Sequence, residues 1–181
     1  MGLFPDLAIR ADYVADHLAI QYLQAAYMRC IGSGDFEAIV DLFDLDDPKV
    51  SLAYAGRPAL EGREALLEEW QSLKAMFEAN GGTLGAHMLT TPMISVTDDG
   101  KCGRGAWQTF GFTFVGAAFG VEPRRAMPTF AAYDNQFRKT ASGWRIVHVK
   151  WEIVATFADT GLSDQWGWVR APRASPFPFA N

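Results

Sequence analysis

The sequence predicts an α+β fold in which a curved antiparallel sheet wraps around three helices from the first half of the chain. Three observations carry that prediction. Apolar residues recur at helical spacing up to about residue 79. From Thr83 onward they alternate instead, in a block of strands separated by turn-forming residues. The last three of these strand segments are long, and long antiparallel strands must twist and bend.

The first helix is predicted from Asp12 to Ile31. Val14, Leu18, Tyr22 and Ala25 lie along one stripe with Ile20, Leu23, Tyr27 and Ile31 beside it, which suits a helix buried on most sides. Gly32-Ser33-Gly34 ends it, because glycine readily adopts the left-handed conformation of helix ends. Asp35 caps a short second helix, Phe36 to Phe43, which Asp46-Asp47-Pro48 breaks. Val50 to Tyr54 reads as a strand, and Gly56-Arg57-Pro58 as a turn. A third helix opens at Gly62 and runs to Ala79 on a stripe of Leu66, Leu67, Trp70, Leu73 and Phe77. Strands then follow at Leu84–Thr90, Met93–Thr97, Gly103–Val115, Arg124–Arg138 and Trp144–Phe157. Gly103, Gly105 and Gly111 are candidate bulges or bends. Residues 159–181 read as an irregular aromatic tail that packs on the domain or on a partner copy. The whole chain reads as one domain with a core at 12–158. A bent sheet over helices predicts a cavity between them that takes one small molecule.

With 49% apolar and 13% aromatic residues the chain can bury a substantial core. Its net charge of −5 argues against nucleic acid or an anionic membrane surface as partner. No apolar run approaches the roughly 20 residues that span a bilayer. The first residues lack a charged start followed by an apolar run, so a cytoplasmic protein is expected. Cys30 and Cys102 stand in no metal-type or redox-type spacing and read as buried, reduced side chains. The three histidines show no metal-ligand spacing, and no phosphate-cradling glycine motif occurs.

Several stretches resemble a known family. They are Ala19-Ile20-Gln21, Tyr27 ahead of Gly34-Asp35-Phe36, Leu42-Phe43, and Leu60-Glu61-Gly62-Arg63-Glu64. Ala86-His87-Met88-Leu89-Thr90-Thr91-Pro92 is the sharpest, and Tyr133, Asn135, Phe137 and Gly143-Trp144-Arg145-Ile146 follow. From Asp12 to Val154 the chain resembles the nuclear transport factor 2-like superfamily, and most of all its SnoaL-like branch. The resemblance implies a cone fold, frequent homodimers, and chemistry without metal or organic cofactor. Polyketide cyclases, dehydratases, isomerases and formaldehyde-releasing lyases of lignin-derived diaryl compounds share that fold, as do pure binding proteins.

His87 is the leading catalytic candidate, since a neutral imidazole takes and returns a proton near neutral pH. In similar dehydratases the matching histidine is the general base, and an aspartate on the first helix orients it. Counting back from Gly34-Asp35 places Arg29 near that aspartate's position, where it would hold a phenolate or enolate oxygen. Tyr27 and Lys150 are the other catalytic candidates, as hydrogen-bond donor and as cation or base. The alternatives are a structural histidine, a surface arginine, a core tyrosine and a solvated charged face on the last strand. Tyr54, Trp107, Phe110, Phe112, Tyr133 and Asn135 are the candidate substrate-binding residues, an aromatic row being suited to an aromatic substrate. His17 and Asp16 read as surface. A cofactor-free lyase or dehydratase acting on a hydrophobic, aromatic, oxygenated molecule is therefore expected. A cyclase or isomerase, or a binding domain, is the alternative.

Overall fold

The computed structural model describes residues 11–54, 58–82, 84–115, 125–159 and 166–170. Helix α1 spans Ala11–Ser33, α2 Phe36–Ile39 runs on into a 3-10 turn at Val40–Leu42, and α3 spans Arg63–Ala79. The strands are β1 Ser51–Tyr54, β2 Leu60–Glu61, β3 Gly85–Val96, β4 Cys102–Val115, β5 Arg125–Thr140, β6 Gly143–Asp159 and β7 Trp166–Arg170. They form one sheet in the order β2-β1-β6-β5-β4-β3, with β7 also pairing β6. The expected α+β architecture is what the chain adopts.

Four details differ from expectation. The sheet is mixed, because β1 runs parallel to β6 with Ser51 opposite His148. No tight turn joins these two strands, so nothing forces them antiparallel. The segments predicted as two strands before residue 98 are one strand, β3, with a register shift between Thr90 and Met93. Thr91 there takes a φ of 48°, and Pro92 follows it. Residues Trp166–Arg170, predicted irregular, pair antiparallel with Ala155–Asp159. Cys102 is exposed at the start of β4 rather than buried. Most of the Gly56-Arg57-Pro58 turn, the first ten residues and those after Arg170 lie outside the described residues.

Helix α1 lies in the concavity of the sheet on a stripe that keeps Ile20 and Tyr27 of the expected apolar face but adds two polar residues. Asp16, Ile20, Gln24 and Tyr27 are buried, whereas Val14, Leu18 and Tyr22 are 40%, 50% and 76% exposed. The polar members of the stripe each find a partner on the sheet, although Gln24 Nε2 is buried without one. The Asp16 carboxylate accepts from Trp144 Nε1 at 2.9 Å and from Lys139 Nζ at 2.7 Å. Gln24 Oε1 accepts from Asn135 Nδ2 at 2.6 Å, and Asn135 Oδ1 accepts from the Lys150 amide at 3.1 Å.

The glycines of β4 are not bulges. That strand pairs with β5 from Cys102 to Val115 without a register shift. They provide room instead. A Cβ on Gly103 would meet Ile20 Cδ1 at 2.7 Å, and one on Gly105 would collide with the Trp107 ring. A Cβ on Gly111 would strike the β3 backbone at Ala86 and His87.

The Asp16 contacts tie α1 to the turn between β5 and β6. Burial opposes ionisation of this carboxyl, but the Lys139 and Trp144 hydrogen bonds outweigh it and hold its pKa below the usual carboxylate value. A lowered folded pKa stabilises the fold above the unfolded value of about 3.9, and the gain is lost as pH falls through the folded value. Asp16→Asn should therefore cost about 1–3 kcal/mol at pH 7, by loss of charge-assisted hydrogen bonds. In urea denaturation the gap between variant and parent should close under acid conditions; a gap independent of pH would contradict this account.

Candidate active site

His87 projects from β3 onto the concave face, where it is half-buried. Gly111 stands directly opposite it on β4, and Thr129 opposite Gly111 on β5. The neighbouring inward position on β3 is Gly85, whose missing Cβ would lie 3.2 Å from His87 Nε2. The ring thus rests on a strip of wall cleared by two glycines. Its Nε2 is 3.5 Å from Thr113 Oγ1, while Nδ1 is buried without a hydrogen-bond partner. Trp151 on β6 meets the imidazole edge to face, with centroids 6.1 Å apart. Burial lowers the pKa of His87 below its ordinary value, so the ring is neutral at pH 7.

Trp151 connects His87 to the phenols. It stands opposite both Tyr133 on β5 and Tyr54 at the end of β1. Tyr133 packs edge to face on Tyr27 of α1 at 6.3 Å, and Tyr27 on Phe43 at 5.9 Å. Tyr27 and Tyr133 are buried, and burial raises both phenol pKa values far above the ordinary range, with Tyr27 adding to the shift of Tyr133. Both hydroxyls therefore stay protonated as donors. No hydrogen bond to either phenol is found among the described residues. Trp107, opposite Tyr133 on β4, is buried beside them. The predicted Tyr27, Tyr54 and Tyr133 thus gather around the chain from His87 through Trp151, whereas the Trp107 ring leans the other way along β4, over Gly105 and against Phe137.

Four predicted residues stand elsewhere. Arg29 is exposed, two residues and about 200° around the helix from Tyr27. Lys150 points to the convex face, where it forms an ion pair with Glu152 at 3.0 Å. Phe110 and Phe112 also face outward, 38% and 42% exposed, because the inner positions of β4 are the odd-numbered ones from Gly103 to Thr113. Asn135 does point inward, but both ends of its amide are held by Gln24 and the Lys150 backbone, so it braces α1 against the sheet. Asp16, expected at the surface, is buried, and His17 bridges α1 to β3 through the Ile94 carbonyl at 2.9 Å.

Sequence reasoning passed over Trp151, Thr113, Thr129 and Thr109. Thr109 is fully buried on the same wall with an unpartnered hydroxyl. Alternation was the available signal, since Thr109 and Thr113 share the parity of Trp107 and the three glycines. The interior is filled largely by packed aromatic side chains, including Phe43 and Trp70 at 4.9 Å. Two hollows lie away from His87. One of about 380 Å³ is bounded by Asp12, Asp16, Asp98, Asp99, Lys101 and Lys139 where the turns meet the start of α1. The other, about 210 Å³, lies around Ser51, Arg138 and His148. Among the described residues no group of three His, Cys, Asp or Glu is placed to hold a metal ion.

Comparison with solved structures supports the fold. A candidate dehydratase of the nuclear transport factor 2-like family from Streptomyces avermitilis superposes with a TM-score of 0.63 at 24% identity, over 78% of this chain and 97% of that one. A candidate scytalone dehydratase from Novosphingobium aromaticivorans gives 0.62 at 14% identity, over 79% and 87%. A candidate aromatic ring hydroxylase from the same organism gives 0.60 at 20% identity, over 78% and 90%. At these identities the likeness establishes the architecture alone. No curated protein matches. The model of the SnoaL-like domain matches residues 12–150, and with the cone-shaped sheet, the inward His87 and the matching motifs along that span, the chain belongs to the SnoaL-like domain family.

Proposed function

We propose that the protein is a cofactor-independent lyase of the dehydratase type, with His87 as general base. One observation carries this reading: a neutral imidazole on the concave wall whose Nδ1 is buried and unpartnered, in an aromatic cluster with two phenols. A buried nitrogen without a partner is costly to a fold and is retained where something must meet it. The family match and the dehydratase-named structural relatives support the same class.

In this mechanism His87 Nδ1 removes a proton from a carbon next to a carbonyl or phenol. The electron pair moves towards that oxygen, and Tyr27 and Tyr133 donate hydrogen bonds to the developing charge. The neighbouring C–O bond then breaks as the electrons return, and the imidazolium delivers its proton to the departing hydroxyl, which leaves as water. Returning the proton to carbon instead would give an isomerase, so both reactions use the same groups. The surroundings are aromatic, and Lys150 and Arg29 point elsewhere. The substrate class is therefore an uncharged, hydrophobic, oxygenated aromatic compound, such as a polyketide-like or lignin-derived diaryl molecule. Arg29 facing solvent is what a pure binding domain would show, whereas the unpartnered Nδ1 of His87 favours catalysis.

Product analysis over such compounds should identify a turned-over substrate, and His87→Ala should then lower kcat by roughly 10²–10⁴-fold. Full turnover by that variant would overturn the assignment. Because burial lowers the His87 pKa, activity should stay level through neutral pH and decline only below about 6.5 as the base is protonated. An acid limb centred above that value would contradict the placement of the base.

We also propose that two chains pair through the convex face. Met88 is 64% and Phe112 42% exposed on neighbouring strands, an apolar patch of a kind that marks association. The Arg104–Asp134 pair, with a hydrogen bond of 2.8 Å, and the Lys150–Glu152 pair lie on the same face, and alternating charges suit a self-complementary two-fold contact. Sedimentation should report a dimer, and Met88→Glu with Phe112→Glu should shift it to monomer; a parent that sediments as a monomer would refute the pairing.

A further inference from the structure

A histidine base works only if the nitrogen facing the substrate is the unprotonated one. In the SnoaL-like dehydratases that this sequence resembles, an aspartate on the first helix fixes that choice. Here α1 carries two acids, Asp12, exposed in its first turn, and Asp16, committed to Lys139 and Trp144, and burial alone accounts for the shifted pKa of His87.

Two threonines occupy the other side of the ring. His87 Nε2 lies 3.5 Å from Thr113 Oγ1, at the long limit of a hydrogen bond. Thr113 Oγ1 lies 3.1 Å from Thr129 Oγ1. Thr129 Oγ1 lies 3.0 Å from the backbone carbonyl of Met127. A hydroxyl carries one proton, and a carbonyl can only accept. The Thr129 proton therefore goes to Met127, which leaves its oxygen to accept from Thr113. The Thr113 proton is then committed as well, so its oxygen faces His87 as an acceptor. Only a protonated Nε2 completes this sequence, and the lone pair then sits on Nδ1, the nitrogen without a partner.

Sequence and fold both support the arrangement. Thr113 and Thr129 are inward residues on adjacent strands, and Gly85 stands opposite Thr113. Any side chain at position 85 would press on His87 Nε2 and Cδ2, which a Cβ would approach to 3.2 Å. The glycine keeps the ring free to reach the threonine.

We propose that Thr113 and Thr129 are positioning residues that hold His87 in the Nε2–H tautomer and so present Nδ1 as the proton acceptor. The catalytic role of His87 rests on the function proposed above; the tautomer does not. A neutral hydroxyl pair replaces the usual carboxylate, orienting the ring without adding a charge that would stabilise the imidazolium.

Two-bond ¹H–¹⁵N correlation spectra of ¹⁵N-histidine protein, recorded above pH 7, read the tautomer directly. The three histidines are few enough to assign by comparison with His87→Gln. The parent should show the Nε2–H pattern for His87. Thr113→Val should convert it to a mixture or to Nδ1–H, and Thr113→Ser should restore it. On an identified substrate the valine variant should lose about tenfold or more in kcat, with the serine variant recovering it. A parent His87 in the Nδ1–H form would overturn the proposal without any variant needing to fold, as would a Thr113→Val spectrum identical to the parent. Neither result bears on whether His87→Ala abolishes turnover, so this proposal and the base assignment fail separately.

Discussion

The structure depends on one steric constraint, the room that three glycines leave on the inner wall of β4. Side chains fill the concavity of a strongly curved sheet only where the wall leaves room for them. Gly103 leaves room for Ile20, and Gly105 for the folded ring of Trp107. Gly111 lets β3 close against β4 at the point from which His87 departs. A larger residue at Gly103 would press on Ile20 of α1, one at Gly105 would displace the Trp107 ring, and one at Gly111 would part β3 from β4. Packed interiors do not absorb such changes smoothly, because they behave as close-packed solids rather than liquids.

The same constraint explains what could be read from the sequence and what could not. Alternation separates the two faces of β5 there, with Tyr133 and Asn135 on one side and Asp134 on the other. It does not say which face is concave. Reading Phe110 and Phe112 as an aromatic lining for the substrate takes their face for the concave one. On β4 three of the six inner positions are glycines that clear room for Ile20, for the Trp107 ring and for the β3 backbone, and Phe110 and Phe112 turn outward. The parity of Gly103, Gly105 and Gly111 with Trp107 held that information. On α1 the error has the mirror-image cause. Asp16 and Gln24 are polar and were left out of the apolar stripe, yet each is buried with a partner on the sheet. Once that stripe is known, helical geometry turns Arg29 to solvent.

The partners that bury Asp16 and Gln24 also organise the base of the site. Gln24 and Tyr27 are one turn apart on α1, and Asn135 and Tyr133 are two apart on β5. The hydrogen bond between the amides therefore sets the level at which the two phenols meet. Asn135 was expected to bind substrate. Its role as a brace follows from its complete burial and from the Lys150 amide it also accepts. A polar pair shut off from water fixes a helix's rotation more tightly than apolar contact, since a slip would leave buried groups unsatisfied.

The environment of His87 then decides what kind of base it can be. A histidine paired with a carboxylate is a stronger base, because the imidazolium it forms meets a negative charge. In the aromatic surroundings of Trp151 there is no such compensation, and burial disfavours the charged form. A weak, neutral base suits only a proton already made acidic by an adjacent carbonyl or phenol, and it gives that proton up again readily. Two neutral phenols fit the same logic, for they stabilise a developing oxyanion without holding a fixed charge in the resting state. The site is thus consistent in its chemistry, with neutral groups throughout, charge appearing only during reaction, and a substrate that must bring its own activation.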